Sequence, residues 1–134
     1  WLSYDPAAAI RKKRRFTFEQ VPGGERSETS FRLLRRRNGL SEVEVFPRTG
    51  RLHQIRATLC SLGYPMAGDK LYGLDDTFFT KFIEDKLTDA DRARLLLPRQ
   101  ALHASELRMP CRGTELRVTA PLPADMRKLT EEAD

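Results

Sequence analysis

The sequence predicts an α+β fold, a mainly antiparallel sheet with helices packed on it. Between residues 14 and 47, apolar and polar side chains alternate between turn signals, which is typical of antiparallel strands. From residue 52 onward, apolar residues recur at helical spacing, before a second strand-like stretch that ends near residue 119. At 134 residues, the chain is one domain or part of one.

Three strands are predicted in the first third of the chain, after a loop over residues 1–10. They cover residues 14–20, 29–37 and 41–46. The Pro-Gly-Gly sequence at 22–24 predicts a turn, and Asn38-Gly39 is a strong signal for a tight hairpin. We therefore expect the three strands to follow one another as an antiparallel meander.

The first helix is predicted over residues 52–62. Its apolar positions fall on one stripe, and Gly63 ends it; the stripe consists of Leu52, Ile55, Leu59 and Leu62. Arg56 lies at the margin of this stripe, where a long side chain can reach into a cleft.

The later elements are shorter. Thr88 and Asp91 form a capping-box-like helix start, and a turn is predicted at Arg112-Gly113. We predict helices over 75–87, 88–97 and 123–129, and strands over 101–109 and 115–119.

Positive charge is concentrated at the start of the chain. Residues 1–38 hold ten Lys and Arg against four Asp and Glu, whereas the whole chain has a net charge of +5. The excess lies in two blocks, 11–15 and 35–37. Such clusters indicate a surface that binds nucleic acid, and a solvated strand end is the alternative.

Several classes of protein do not fit the sequence. No apolar run is long enough to span a bilayer and no signal-peptide pattern is present, which favours a cytoplasmic protein. Cys60 and Cys111 are far apart and are expected to be reduced thiols. The sequence has no Cys/His cluster, phosphate loop or dinucleotide pattern, so we expect neither a metal nor a nucleotide cofactor.

Two neighbouring segments carry the most specific signal. Residues 48–59 read RTGRLHQIRATL, and residues 63–73 read GYPMAGDKLYG. In the first, arginines stand where a helix begins, and a helix start favours anions. Together they resemble the RluA-type pseudouridine synthases, which isomerise uridine in RNA and have a pattern close to G-R-x-H-Q-I-R-x-H-L…G-x-P-I-x-G-D-x-x-Y-G.

The resemblance continues to the end of the chain and implies a specific part of that family's catalytic domain. LHA at 102–104 and APLPADM at 120–126 are similar to later family segments. The family's catalytic aspartate lies in an H-R-L-D-x-x-T-S-G segment, which the 134 residues lack. We therefore expect residues 1–134 to be the C-terminal portion of a pseudouridine synthase catalytic domain, inactive alone.

The resemblance assigns a role to Arg56 and to Leu102. Arg56 matches the arginine that pairs with the catalytic aspartate, and a nearby guanidinium keeps a carboxylate ionised; an ordinary helix-surface arginine is the alternative. Leu102 would form a wall of the uracil pocket; an ordinary core leucine is the alternative. The first basic block would contact the RNA backbone: Arg11, Lys12, Lys13, Arg14 and Arg15.

Three residues at the predicted helix start are further candidates for binding substrate: Arg51, His53 and Gln54. They could contact RNA phosphate, although His53 could instead be a structural hydrogen-bonding residue. The family's second histidine is replaced by Thr58. We expect Asp69 to accept hydrogen bonds within a turn rather than to act as the nucleophile.

The sequence favours one function and leaves two alternatives open. The first is an enzyme that makes pseudouridine in RNA, with ribosomal RNA as the expected partner. The second is a non-catalytic RNA-binding module derived from the same fold. The third is a structural fragment with no activity of its own.

Overall fold

The computed structural model describes residues 2–4, 9–13, 17–21, 24 and 26–131. Within these residues the chain forms strands β1 to β7 and helices α1 to α4. In order they are β1 (Leu2–Tyr4), β2 (Ala9–Lys13), β3 (Thr17–Val21), β4 (Thr29–Arg37), β5 (Leu40–Pro47), α1 (Gln54–Ser61), α2 (Thr77–Ile83), α3 (Asp89–Leu95), β6 (Glu106–Cys111), β7 (Thr114–Thr119) and α4 (Ala124–Thr130).

The described strands form three antiparallel sheets. One sheet has the order β1-β4-β5, and the other two are the pairs β2-β3 and β6-β7. Helices accompany these small sheets, which confirms the predicted α+β class.

The β4–β5 hairpin forms where the sequence predicts it. Asn38 and Gly39 have φ angles of 51° and 73°, the left-handed conformation that a two-residue hairpin turn needs. The register shifts between Leu33 and Arg35, so one extra residue lies in β4.

Two expectations for the start of the chain are wrong. The predicted loop over 1–10 contains β1 and the beginning of β2. The meander is also wrong, because β3 pairs with β2 while β1 occupies the second edge of β4. Pairing partners are chosen by non-local contacts, which alternation along one strand does not encode. Residues 14–16, the start of a predicted strand, lie outside the described residues.

Helix α1 is shorter than predicted at its start. His53 has a φ of 54°, so the backbone leaves the helical conformation there, and Leu52 is 65% exposed instead of lying on the buried stripe. The predicted end at Gly63 is confirmed. The Gly63 N–H donates to the Cys60 carbonyl (3.0 Å) and the Tyr64 N–H to the Leu59 carbonyl (2.9 Å), a Schellman motif.

Helices α2 and α3 are also shorter than predicted, whereas α4 has the predicted length and is shifted by one residue. The capping box of α3 is confirmed, since Thr88 and Asp91 bond reciprocally. That helix ends before Pro98, because Leu96 has a φ of 67°. The strand predicted over 101–109 begins only at Glu106, so Leu102 is not on a strand.

The hydrophobic core draws on several elements. Among the residues whose burial the structure describes, seven apolar residues are buried: Phe31, Ala57, Leu59, Tyr72, Phe78, Leu95 and Leu97. They come from β4, α1, α2, α3 and the loops beside them. None of the described helices has the length and apolarity needed to cross a bilayer.

Gly63→Ala tests how α1 ends. Gly63 has a φ of 82°, and a Cβ added there would meet no other atom. The substitution therefore adds only the conformational free energy that a non-glycine residue needs to adopt a left-handed backbone. We expect the free energy of unfolding to fall by about 1 kcal/mol. Gly50→Ala is the matched control, because Gly50 also has open space and lacks a left-handed φ. Equal stability of both variants in urea titration would contradict the assignment.

Candidate functional site

The segment before α1 is held in place by the side chain of Gln54. Its amide nitrogen donates to the Glu28 carbonyl (2.9 Å) and to the Thr29 hydroxyl (2.7 Å). Its amide oxygen accepts from the Thr49 hydroxyl (2.8 Å) and the Arg51 N–H (2.9 Å). These four bonds use the whole capacity of the amide. They give Gln54 a structural part at the junction of β4 and α1, and its contact with substrate stays a prediction.

Arg56 projects from α1 onto the carboxylate of Asp69. Its Nε donates to Oδ2 at 2.6 Å, and its Nη2 donates to Oδ1 at 2.8 Å. The carboxylate is fully buried and the arginine side chain is 14% exposed. A two-pronged ion pair of this kind fixes the plane of the guanidinium as well as its position.

Asp69 is held by the backbone that follows it. The N–H groups of Leu71 and Tyr72 both donate to Oδ1 at 2.9 Å. This confirms the expectation that Asp69 accepts hydrogen bonds within a turn. With the two bonds from Arg56, four donors surround the buried carboxylate, which offset the cost of removing it from water.

Tyr72 supports the face of the same guanidinium. The Arg56 Cζ lies 5.1 Å from the centre of the Tyr72 ring, which is within the range of a cation–π contact. The Tyr72 hydroxyl lies 3.2 Å from Nδ1 of His53, and the two rings meet edge to face. His53 therefore has the structural hydrogen bond that was one of its two predicted roles.

The glycines around Asp69 permit this close packing. A Cβ on Gly68 would lie 1.9 Å from the Arg99 carbonyl oxygen, and one on Gly73 would lie 1.9 Å from the Asp69 carbonyl oxygen. Both positions therefore exclude a side chain unless the backbone moves. The Gly-Asp-x-x-Tyr-Gly spacing is explained by these contacts.

The environment fixes the protonation states of the pair. Burial by itself raises the pKa of Asp69, and the hydrogen bonds from Arg56, Tyr72 and Leu71 outweigh it, so that the pKa is lowered. The hydrogen bond to Asp69 raises the pKa of Arg56. Burial raises the pKa of the Tyr72 hydroxyl well above its ordinary value. The site thus contains a carboxylate, a guanidinium and a neutral phenol.

One edge of the Arg56 guanidinium remains available. Nε and Nη2 are used by Asp69, and within the described part of the chain Nη1 has no hydrogen-bond partner. Among the described residues, no buried side-chain nitrogen or oxygen lacks a partner, so Nη1 must reach the solvent-accessible surface. Nη1 is therefore the guanidinium nitrogen at which a second anion would approach Arg56.

Leu102 is brought toward this ion pair by a backbone contact. The N–H of Ala101 donates to the Ala67 carbonyl at 2.8 Å, two residues before Asp69. Leu102 is 37% exposed, so its side chain is open to a ligand. Its role as a pocket wall stays a prediction.

The remaining predicted residues lie elsewhere or are described only in part. The Arg51 Nε donates to the Arg26 carbonyl at 3.1 Å, so this residue braces the loop before β4. Arg11, Lys12 and Lys13 lie in β2, opposite Glu19, Phe18 and Thr17 of β3. Arg14 and Arg15 lie outside the described residues.

Sequence reasoning missed the partners of Arg56 within the chain. The resemblance pairs Arg56 with an aspartate elsewhere, whereas Asp69 and Tyr72 hold it from the following loop. The two residues are thirteen positions apart across a helix end, so no local spacing rule joins them. Asp69 and Tyr72 lie between Gly68 and Gly73, two glycines with no room for a side chain. That Gly-Asp-x-x-Tyr-Gly pattern is the signal that could have pointed to them.

No metal site emerges from the described residues. Their His, Cys, Asp and Glu side chains form no group of three or more that could bind an ion. Cys60 and Cys111 are both free thiols, as predicted.

Asp69→Asn tests the strength of the ion pair. The change leaves the largely buried Arg56 without its anion, so the free energy of unfolding should fall by about 3 kcal/mol. Glu84→Gln is the control, because it breaks the exposed pair with Lys86 and should have little effect. Similar stability of the two variants in urea titration would show that the Arg56–Asp69 pair is not important for the fold.

The same pair predicts the direction of a pH effect. The folded pKa of Asp69 is lowered, so its contribution is present above the ordinary value of 3.8 and is lost as the pH falls through the lowered pKa. Thermal unfolding should therefore show a smaller loss of Tm on acidification for Asp69→Asn than for the parent chain. An equal loss would contradict the lowered pKa.

Comparison with known proteins identifies the family to which the chain is similar. The family model described as RNA pseudouridylate synthase matches residues 4–61. An uncharacterised RNA pseudouridine synthase of Chloroflexus aurantiacus is 40% identical over 109 residues, which cover 80% of this chain and 29% of that protein.

Two further relatives are named ribosomal large subunit pseudouridine synthase D. The one from Nitrosomonas europaea is 39% identical over 83% of this chain and 30% of its own length. The one from Haemophilus ducreyi is 33% identical over 95% of this chain and 38% of its own length. The chain thus spans about a third of the length of the curated relatives it matches. It belongs to the RluA-type family of RNA pseudouridine synthases.

Proposed function

We propose that the protein containing this chain converts uridine to pseudouridine in RNA, with ribosomal RNA as its substrate. The relatives from Nitrosomonas europaea and Haemophilus ducreyi carry the name ribosomal large subunit pseudouridine synthase. The similarity extends over most of this chain, including the segments that form the Arg56 site. Because the chain spans only about a third of each relative, the activity is proposed for the whole protein.

The reaction defines what the site must do. The bond between N1 of uracil and C1′ of ribose breaks, the base rotates, and a bond forms between C5 and C1′. The hydrogen on C5 leaves as a proton and N1 takes up a proton, so the reaction is an isomerisation that needs no oxidant or reductant. An ionised carboxylate is the expected nucleophile, and it attacks either the base or the sugar.

The available edge of Arg56 is the observation that carries this proposal. Asp69 holds two nitrogens of the guanidinium and Tyr72 supports its face. The guanidinium is therefore pre-organised, and Nη1 can bind the nucleophilic carboxylate without reorganising. Its positive charge would keep that carboxylate ionised and oriented.

RNA binding would come from other parts of the chain. Leu102 would form an apolar wall for a uracil base that has left its stack. The first basic block, residues 11–15, would contact backbone phosphates and make binding dependent on salt. Arg51 and His53 would contribute to RNA binding from the segment that precedes α1.

The 134 residues alone are proposed to be inactive, because they carry no segment like H-R-L-D-x-x-T-S-G. RNA labelled with tritium at uridine C5 gives the direct test, since each turnover releases that hydrogen. The purified chain should release no more tritium than buffer. Release above that level would refute the proposed inactivity, whereas RNA binding without release fits the alternative of a binding module.

Arg56→Met in the whole protein tests the proposed role. We expect kcat for tritium release to fall by about 100-fold or more, with a smaller change in KM, because the charge acts on the nucleophile. Arg92→Met is the control, since Arg92 is an exposed arginine of α3 and its loss changes the net charge equally. Comparable kcat values for the two variants would exclude Arg56 from the reaction.

A further inference from the structure

The arginines of the second basic block, residues 35–37, have different surroundings in the structure. Arg35 donates from Nε to Glu42 at 2.5 Å and from Nη2 to the Thr130 hydroxyl at 3.0 Å. It therefore neutralises an acid and fastens α4 to the β4–β5 hairpin. Arg32, earlier in β4, is paired with Glu44 in the same way. The charges of Arg32 and Arg35 are therefore neutralised within the fold.

Arg36 is in a different position. The register shift before Arg35 places Arg36 opposite Ser41, so no carboxylate faces it across the hairpin. It is exposed and, within the described part of the chain, it has no hydrogen bond or ion pair. Its positive charge is therefore available to a ligand.

An exposed aromatic ring lies beside this arginine. Arg36 and Tyr64 line one open depression of about 270 Å³, and its other lining residues, all from the tip of the hairpin, are Arg37, Gly39, Leu40 and Ser41. None of these residues is acidic. Tyr64 is 57% exposed.

The position of Tyr64 is fixed by its backbone. Its N–H donates to the Leu59 carbonyl at 2.9 Å in the Schellman motif that ends α1, and Pro65 follows it. The ring is therefore presented from a rigid element. An exposed aromatic ring on rigid backbone loses little conformational entropy when a flat partner stacks on it.

We propose that Arg36 and Tyr64 form an RNA contact site at the tip of the β4–β5 hairpin. Arg36 binds a backbone phosphate, and Tyr64 stacks on the base of an unpaired nucleotide. This inference rests on the proposed function, because it names a contact for the same RNA substrate.

The combination of side chains favours RNA over a phosphorylated peptide. Each nucleotide of a single strand offers one phosphate and one flat base, which match a guanidinium next to an aromatic ring. A site for a phosphate group alone would be expected to offer more hydrogen-bond donors than Arg36 provides, and it would have no use for an exposed aromatic ring. The open shape of the depression also suits a strand that passes across it.

Binding of a fluorescent single-stranded RNA to the purified chain, followed by anisotropy at several salt concentrations, tests the site. Arg36→Gln should weaken binding and reduce the slope of log K against log salt by about 0.7, since one phosphate contact is lost. Tyr64→Leu should weaken binding by roughly 5-fold to 100-fold with the slope unchanged. Tyr64→Phe keeps the ring and should bind like the parent chain.

Arg92→Gln is the control for charge, and a phosphoserine peptide is the competing ligand. If the parent chain binds RNA and both Arg36→Gln and Tyr64→Leu bind equally well, the site is wrong while the proposed function stands. Displacement of RNA by the peptide at lower concentration than by unlabelled RNA would also overturn the site. Absence of RNA binding by the parent chain at low salt would overturn it too, and tritium release by the whole protein would then decide the proposed function separately.

Discussion

The ion pair between Arg56 and Asp69 organises this part of the molecule. A buried carboxylate is stable only when donors replace the water it has lost, and here a guanidinium and two backbone N–H groups do so. The pair joins α1 to the loop that follows it. The next segment of chain packs against the same loop, because the Gly68 N–H donates to the Leu95 carbonyl at 2.7 Å. Helix α1 and the end of α3 are thus both joined to the loop that carries Asp69.

The same contact has a functional consequence. A free arginine side chain samples many rotamers and would lose that freedom on binding an anion. Asp69 and Tyr72 restrict Arg56 in advance and leave one edge of its guanidinium accessible. A site held this way can orient a reacting carboxylate with little reorganisation, which is how pre-organised charges assist catalysis. The structural role of Asp69 and the proposed catalytic role of Arg56 would then be two aspects of a single arrangement.

Local features of the fold were predictable, and features that depend on distant partners were not. Asn38-Gly39 and Gly63 act through their own backbone conformations, so the hairpin and the end of α1 follow from the sequence. Strand β1 has three residues and exists through pairing with β4, which no pattern within residues 1–10 indicates. The left-handed backbone at His53 is likewise not indicated by the helical spacing, and the ring of that residue meets Tyr72 from the following loop.

The site was predictable to the same extent. The motif around Arg56 singles out the arginine, and the turn around Asp69 predicts that its carboxylate accepts hydrogen bonds, but neither pattern pairs the two residues. The two basic blocks could not be interpreted residue by residue, because the register shift in β4 decides which arginine faces a carboxylate.

The most direct measurement is the titration of the Asp69 carboxyl carbon by NMR, in the parent chain and in Arg56→Met. The account predicts a pKa below the ordinary 3.8 in the parent chain, and a clearly higher value without the guanidinium, because burial then acts with less opposition. A pKa at or above the ordinary value in the parent chain, or the same value in both proteins, would contradict the claim that Arg56 is held by an ionised Asp69.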